Sequence, residues 1–211
     1  MAYDLEEQEQ IAAIKGWWAD HGKLVMLVVI SALVAVVAIQ GWRYYRTQQA
    51  EKASLLYAQL TEAERGNDSK RVRDIAAQII DRYGSSQYAG MAALASAKAG
   101  VVTGEMDDAK NRLQWAVDNA KEEEMRDIAR LRLAGVLLDE KKYDEALKLL
   151  SAKTGDAFVV FYADLKGDVL SAQGKAAEAR AAYQQALDKS DPQSNYRRLV
   201  ELKLDALGDA K

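Results

Sequence analysis

Few side chains in this sequence have the type and spacing that chemistry requires. There is one histidine, His21, and no cysteine among 211 residues. A Ser-His-Asp triad or a multi-histidine metal centre needs imidazoles close to their partners. His21 stands beside Gly22 at the edge of an apolar run, far in sequence from the polar remainder of the chain. The lack of cysteine removes disulfides, thiolate metal ligands and a thiol nucleophile. No glycine-rich phosphate loop is present, and Val102-Thr103-Gly104-Glu105 falls in the turn of a repeat described below. Glu122-Glu123-Glu124 is acidic enough to suggest a metal, but adjacent acids on a helix project in different directions. That run reads as a solvated loop or a helix start. Carboxylates are plentiful, and no spacing singles out a pair. The expectation is a non-enzymatic protein with no cofactor, no metal site and no catalytic residue.

The elements are more informative than the reactive groups. From Leu24 to Ile39 every residue except Ser31 is apolar, and no charge lies between Lys23 and Arg43. At 1.5 Å rise per residue the uncharged stretch is roughly 28 Å long, close to the hydrocarbon thickness of a bilayer. Its Leu, Ile and Val residues favour insertion by on the order of 5 kcal/mol. Trp17 and Trp18 precede it, and Trp42, Tyr44 and Tyr45 follow. Aromatic rings on both sides suit the two headgroup levels. A cleaved signal sequence would have a shorter apolar core, a basic leader and a small-residue cleavage site. Here the leader is acidic and the best candidate site, Val36-Val37-Ala38, is poor, so the segment is expected to stay as an anchor.

Orientation is not settled by charge. Lys15 and Lys23 precede the run, and Arg43, Arg46 and Lys52 follow it. The margin of one residue slightly favours a cytoplasmic C-terminal part, but long domains translocate largely regardless of charge. In the leader, Asp4, Glu6, Glu7 and Glu9 lie near the start of a pattern in which Ile11, Ile14 and Trp18 share one face. That spacing predicts a short amphipathic helix, either an interfacial lead-in to the span or a docking segment. Residues beyond the uncharged stretch carry 27 acidic and 27 basic side chains. A neutral domain has no electrostatic footprint for nucleic acid.

One proline and abundant Ala, Leu, Lys, Glu and Gln favour helix throughout. A phrase recurs in "GEMDDAKNRLQWAV" from Gly104, "KKYDEALKLLSA" from Lys141 and "GKAAEARAAYQQAL" from Gly174. Each begins with a turn, has an Ala five residues on (Ala109, Ala146, Ala179) and a large residue four further (Leu113, Leu150, Tyr183). Ala116 and Ala186 follow, with Lys153 in that place in the middle copy. Upstream, Ala97, Ala134 and Gly167 stand at matching distances in a first helix. The Ala-to-Ala intervals of 37 and 33 lie near the 34-residue period of tetratricopeptide repeats. Small residues let paired helices approach, and such pairs stack into a solenoid. Ala53, Leu56, Tyr57 and Leu60, then Val72, Ile75, Ala76, Ile79 and Ile80, predict a degenerate first pair around the loop "RGNDSK". Asp191-Pro192 is expected to start a final helix, in which Tyr196, Leu199, Val200, Leu204 and Leu207 cap the solenoid.

First helices of such repeats usually line the concave, partner-binding face. On that logic Met91, Leu94, Leu131, Leu138 and Phe161 point into a groove, alternating with Lys98, Asp139, Asp164 and Asp168. An apolar groove with charged edges suits an extended or partly unfolded segment, or a partner's helix. For Phe161, within the apolar "AFVVFYA", burial between neighbouring helices is the other reading.

The chain resembles the YfgM family. The likeness is carried by the acidic leader ending in a Trp pair, "GWRYYR" after the span, "ASLLYAQL", and "YADLKGDVLSAQGKAAEARAAYQQALDKSD". It implies an all-α chain with a single N-terminal transmembrane helix, then a tetratricopeptide-like α-solenoid with a C-terminal capping helix. The expected divisions are a cytoplasmic leader at 1–22, the anchor at 23–46 and a periplasmic repeat domain at 47–211. The resemblance further implies an ancillary subunit of the SecYEG translocon in the inner membrane. Its repeat domain would act with the chaperone PpiD on secreted or unfolded polypeptides. The alternative it implies is a membrane-tethered regulator whose leader sequesters a cytoplasmic response regulator of envelope stress.

Overall fold

The computed structural model describes residues 2–208, and the side chains of residue 7 and of residues 9–208. Among the described residues there are helices and turns but no strand. The chain divides into two compact units, one up to Gln49 and one from Ala50 on. The first helix, α1 (Ala2–Arg65), contributes to both.

In the first unit, the apolar run is the one stretch among the described residues long and apolar enough to cross a membrane. None of its apolar side chains is buried. The leader is no separate helix: it is continuous with the run, because nothing between Ala2 and Lys23 interrupts helical hydrogen bonding. Ile11, Ile14 and Trp18 are exposed along it. His21 stacks on Trp17 one turn earlier, with ring centroids 5.3 Å apart. Asp4 and Glu6 have side chains outside the described residues.

In the second unit the last turns of α1 meet α2 (Ser69–Tyr83) and α3 (Gln87–Thr103) around Leu60, Ala63, Val72, Ile79, Ala92 and Ala99. The loop from Arg65 closes with Asp68, whose carboxylate accepts the Arg71 amide at 3.0 Å and caps α2. Then follow α4 (Met106–Asn119), α5 (Glu123–Asp139), α6 (Tyr143–Leu150), α7 (Val159–Ala172) and α8 (Ala176–Lys189). Helices α3 and α4, α5 and α6, and α7 and α8 form three successive pairs, and α5 also packs against both α3 and α7.

The recurring residues are the seams of this stack. Ala109, Ala146, Ala179, Ala116, Ala186 and Ala134 are all 0% exposed. Gly167 is the tightest seam: a Cβ there would lie 2.4 Å from the Tyr183 ring. The three turns are the same structure. At Gly104, Lys141 and Gly174 the backbone enters the left-handed region, with φ of 78°, 61° and 77°. In each turn the next amide reaches back to the carbonyl of Gly100, Leu137 or Leu170, at 2.8 to 2.9 Å. Glu122 is the residue before α5, so the acidic run is a helix start. In the middle copy α6 ends at Leu150, before Lys153, which is exposed. A lysine cannot take the buried place of Ala116 and Ala186, and the second helix stops short.

The final helix, α9 (Asn195–Ala206), starts later than Asp191-Pro192 predicts. Asp191 turns its carboxylate onto the Gln193 amide (2.8 Å) and its carbonyl onto the Ser194 amide (3.0 Å), which makes a turn. Ser194 then caps the helix by accepting the Tyr196 amide at 3.2 Å. Val200 is fully buried beside Ala163, Tyr183 and Leu187, as a capping helix requires.

Candidate interaction surface

Two buried carboxylates organise the face on which the first helices lie. Asp127, in the second turn of α5, is 1% exposed. It accepts hydrogen bonds from the Tyr162 hydroxyl (3.0 Å), the Gly155 amide (3.0 Å) and the Arg130 guanidinium (2.8 Å). It thereby holds the loop after α6, and α7 beyond it, against α5. Burial works to raise its carboxyl, and the Gly155 amide, Tyr162 and Arg130 outweigh that and hold it below the usual aspartate range. Burial, with Asp127 adding to it, pushes the Tyr162 phenol up to about 12.

Asp164 is the second, 4% exposed. It accepts from the Tyr196 hydroxyl at 2.6 Å, while Lys203 donates to both its oxygens at 2.9 Å. Lys203 also reaches Asp168 at 2.8 Å, and Asp168 accepts the Tyr183 hydroxyl at 2.8 Å. Burial and the adjoining carboxylates raise both tyrosines. For Lys203 burial pulls the ammonium down, and the two aspartates more than restore it, so it is raised. This cluster fastens α9 to α7 and α8.

The residues expected to line a groove are therefore not equivalent. Leu94 is 7% exposed and belongs to the central core, because it faces the packed side of α3. Asp164 is turned inward by Lys203 and Tyr196, and Asp168 is half-buried in the same cluster. Met91, Leu131 and Leu138 are partly buried, the two leucines against the core. Phe161 falls between its two readings: it is 40% exposed and meets the Tyr196 ring edge-on at 4.8 Å. Lys98 and Asp139 are exposed. Both border a cleft of about 440 Å³ between α3 and α5, with Val101, Val102, Arg132 and Val136. The sequence reading missed these last four. The signal lay in the helical spacing, since 98, 101 and 102 share one face of α3 and 132, 136 and 139 one face of α5.

A family model described as tetratricopeptide repeat-like domain matches residues 15–209, anchor and repeats together. A protein of Neisseria gonorrhoeae named ancillary SecYEG translocon subunit is 31% identical over 98% of this chain and 100% of its own length. The chain belongs to this family. Relatives of the same name in Haemophilus influenzae and Escherichia coli are each 30% identical, over 88% and 95% of this chain and 91% and 96% of their own lengths. No solved structure matches the chain. Membership of the ancillary translocon subunit family agrees with what the geometry provides: a membrane-anchored chain whose well-built features are helix seams and buried polar locks. Among the described residues, no three His, Asp or Glu side chains are grouped to hold a metal ion.

Proposed function

We propose that the chain is a non-enzymatic ancillary subunit of the SecYEG translocon in the inner membrane. Its N-terminus lies in the cytoplasm. Its repeat domain lies in the periplasm and serves, with PpiD, as a chaperone and scaffold for newly secreted proteins. The observation that carries this reading is the full-length likeness to relatives of that name, with one apolar helix placed ahead of the repeats as in a tethered domain. The test is topological and physical. Protease added to spheroplasts degrades the repeats and spares the leader, and crosslinking in intact membranes captures SecYEG and PpiD. Deletion of residues 1–22 leaves that capture in place. Repeats protected from external protease, or no translocon captured, would refute the reading.

A further inference from the structure

Gly135 stands in the interior of α5, where a glycine weakens the helix. Elsewhere in the repeats, helical glycines have an internal reason. A Cβ at Gly90, Gly100 or Gly167 would lie 3.0, 3.2 or 2.4 Å from a neighbouring residue. At Gly135 a Cβ would meet nothing within 4 Å. The space over its bare backbone is the 440 Å³ cleft between α3 and α5, a volume in the range of ligand pockets. Around it Val101 and Val102 are 45% and 73% exposed.

The charges at this cleft differ from those nearby. On the opposite side of α5, Lys110 and Lys142 both hold Glu140, at 2.6 and 2.8 Å, and Arg130 holds Asp127. Arg132 and Asp139, two turns apart on α5, have no ion-pair or hydrogen-bond partner among the described residues. Lys98 has only Glu64 at 3.5 Å. Arg132 is thus free, and Lys98 is held only by the long contact to Glu64, so both cations can turn to an incoming carboxylate beside the exposed valines.

We infer that this cleft binds an extended polypeptide segment whose aliphatic side chain seats over Gly135 and whose neighbouring acidic residue faces Arg132 and Lys98. Glycine there lets the segment approach the helix backbone closely, and the cations select its acidic flank. The inference rests on the proposed function for the source of the segment, a chain emerging from the translocon.

The experiment uses the full chain in detergent with two fluorescein-labelled peptides. One has paired leucines flanked by glutamates, and the other has the same leucines flanked by lysines. Anisotropy is expected to show the glutamate peptide binding about tenfold tighter or more. Gly135→Leu is expected to lose at least about tenfold of that affinity while its melting temperature stays level or rises. Gly135→Ala, which only fills the backbone gap, is expected to melt about 2–4 °C higher. Arg132→Glu, at an exposed position, is expected to reverse the preference between the two peptides. Undiminished binding by Gly135→Leu, equal affinity for both peptides, or an unchanged order in Arg132→Glu overturns the inference. Co-isolation of SecYEG is scored separately. Its presence without peptide binding removes the cleft and keeps the function. Peptide binding without it keeps the cleft and removes the function.

Discussion

Replacing Asp127 tests whether a single buried carboxylate holds the middle of the stack together. Asp127→Ala takes the carboxylate acceptor from the Gly155 amide, in the exposed loop after α6, and from the Tyr162 hydroxyl, which is buried and keeps only a long 3.4 Å contact to the residue 127 carbonyl. Arg130, whose side chain is 16% exposed, can turn to water and recover part of its hydration. Removing one partner of a buried, hydrogen-bonded charge usually costs about 3–5 kcal/mol, and Arg130's freedom places this case near the lower end, about 3. Asp127→Asn keeps the shape and one acceptor, so about 1–2 kcal/mol is expected. The dependence on pH follows from the direction of the shift. The folded-state carboxyl is held below its unfolded value of about 3.9. Its stabilisation is therefore fully present above that value and is lost as pH falls through the folded one. Urea titrations of the full chain in detergent, followed by helical dichroism, should give an Asp127→Asn deficit of about 1–2 kcal/mol at pH 7. The deficit should shrink at pH 3. A deficit that is the same at both pH values, or an Asp127→Ala cost below about 1 kcal/mol, would refute the lock.

Three further outcomes are expected. Gly167→Ala drives a methyl into a Tyr183 ring whose hydroxyl is tethered to Asp168. It should cost about 1–3 kcal/mol in a urea titration despite alanine's better helix propensity. Lys141→Gly relieves a non-glycine residue at φ 61° and should raise stability by about 0.5–1 kcal/mol, whereas the same change at exposed Lys175 should not. Phe161→Ala should cost about 1 kcal/mol, the worth of its contact with Tyr196, and a loss of 3 or more would place Phe161 in the core.

What the sequence made legible was whatever repeats. Ala109, Ala146 and Ala179 occupy one position three times, and burial at that position is a property of the period rather than of any single residue. Asp127 could not be found that way. Its partners Gly155 and Tyr162 lie 28 and 35 residues on, and an aspartate near a helix start otherwise reads as a surface acid. The same holds for Asp164, expected at a groove edge until Lys203, 39 residues later, turned it inward. Gly135 was passed over because an open space above a helix is made by two elements and is written in neither. At Asp191-Pro192 two capping patterns compete within four residues. Ser194 wins because the Asp191 carboxylate is already engaged in the turn.

The three matching helix exits at Gly104, Lys141 and Gly174 make the length of the solenoid an adjustable quantity. A chain joined from one such turn to the equivalent point of the next keeps the same backward hydrogen bond and the same buried alanine five residues later. Whole repeats can then be excised or duplicated without redesigning a turn, since each pair answers mainly to its neighbours. The ends do not share this freedom. The last pair is bolted to α9 through Asp164, Asp168 and Lys203, and the first is built on α1 itself. Reach can be tuned from the middle while the tether and the closing cap stay fixed.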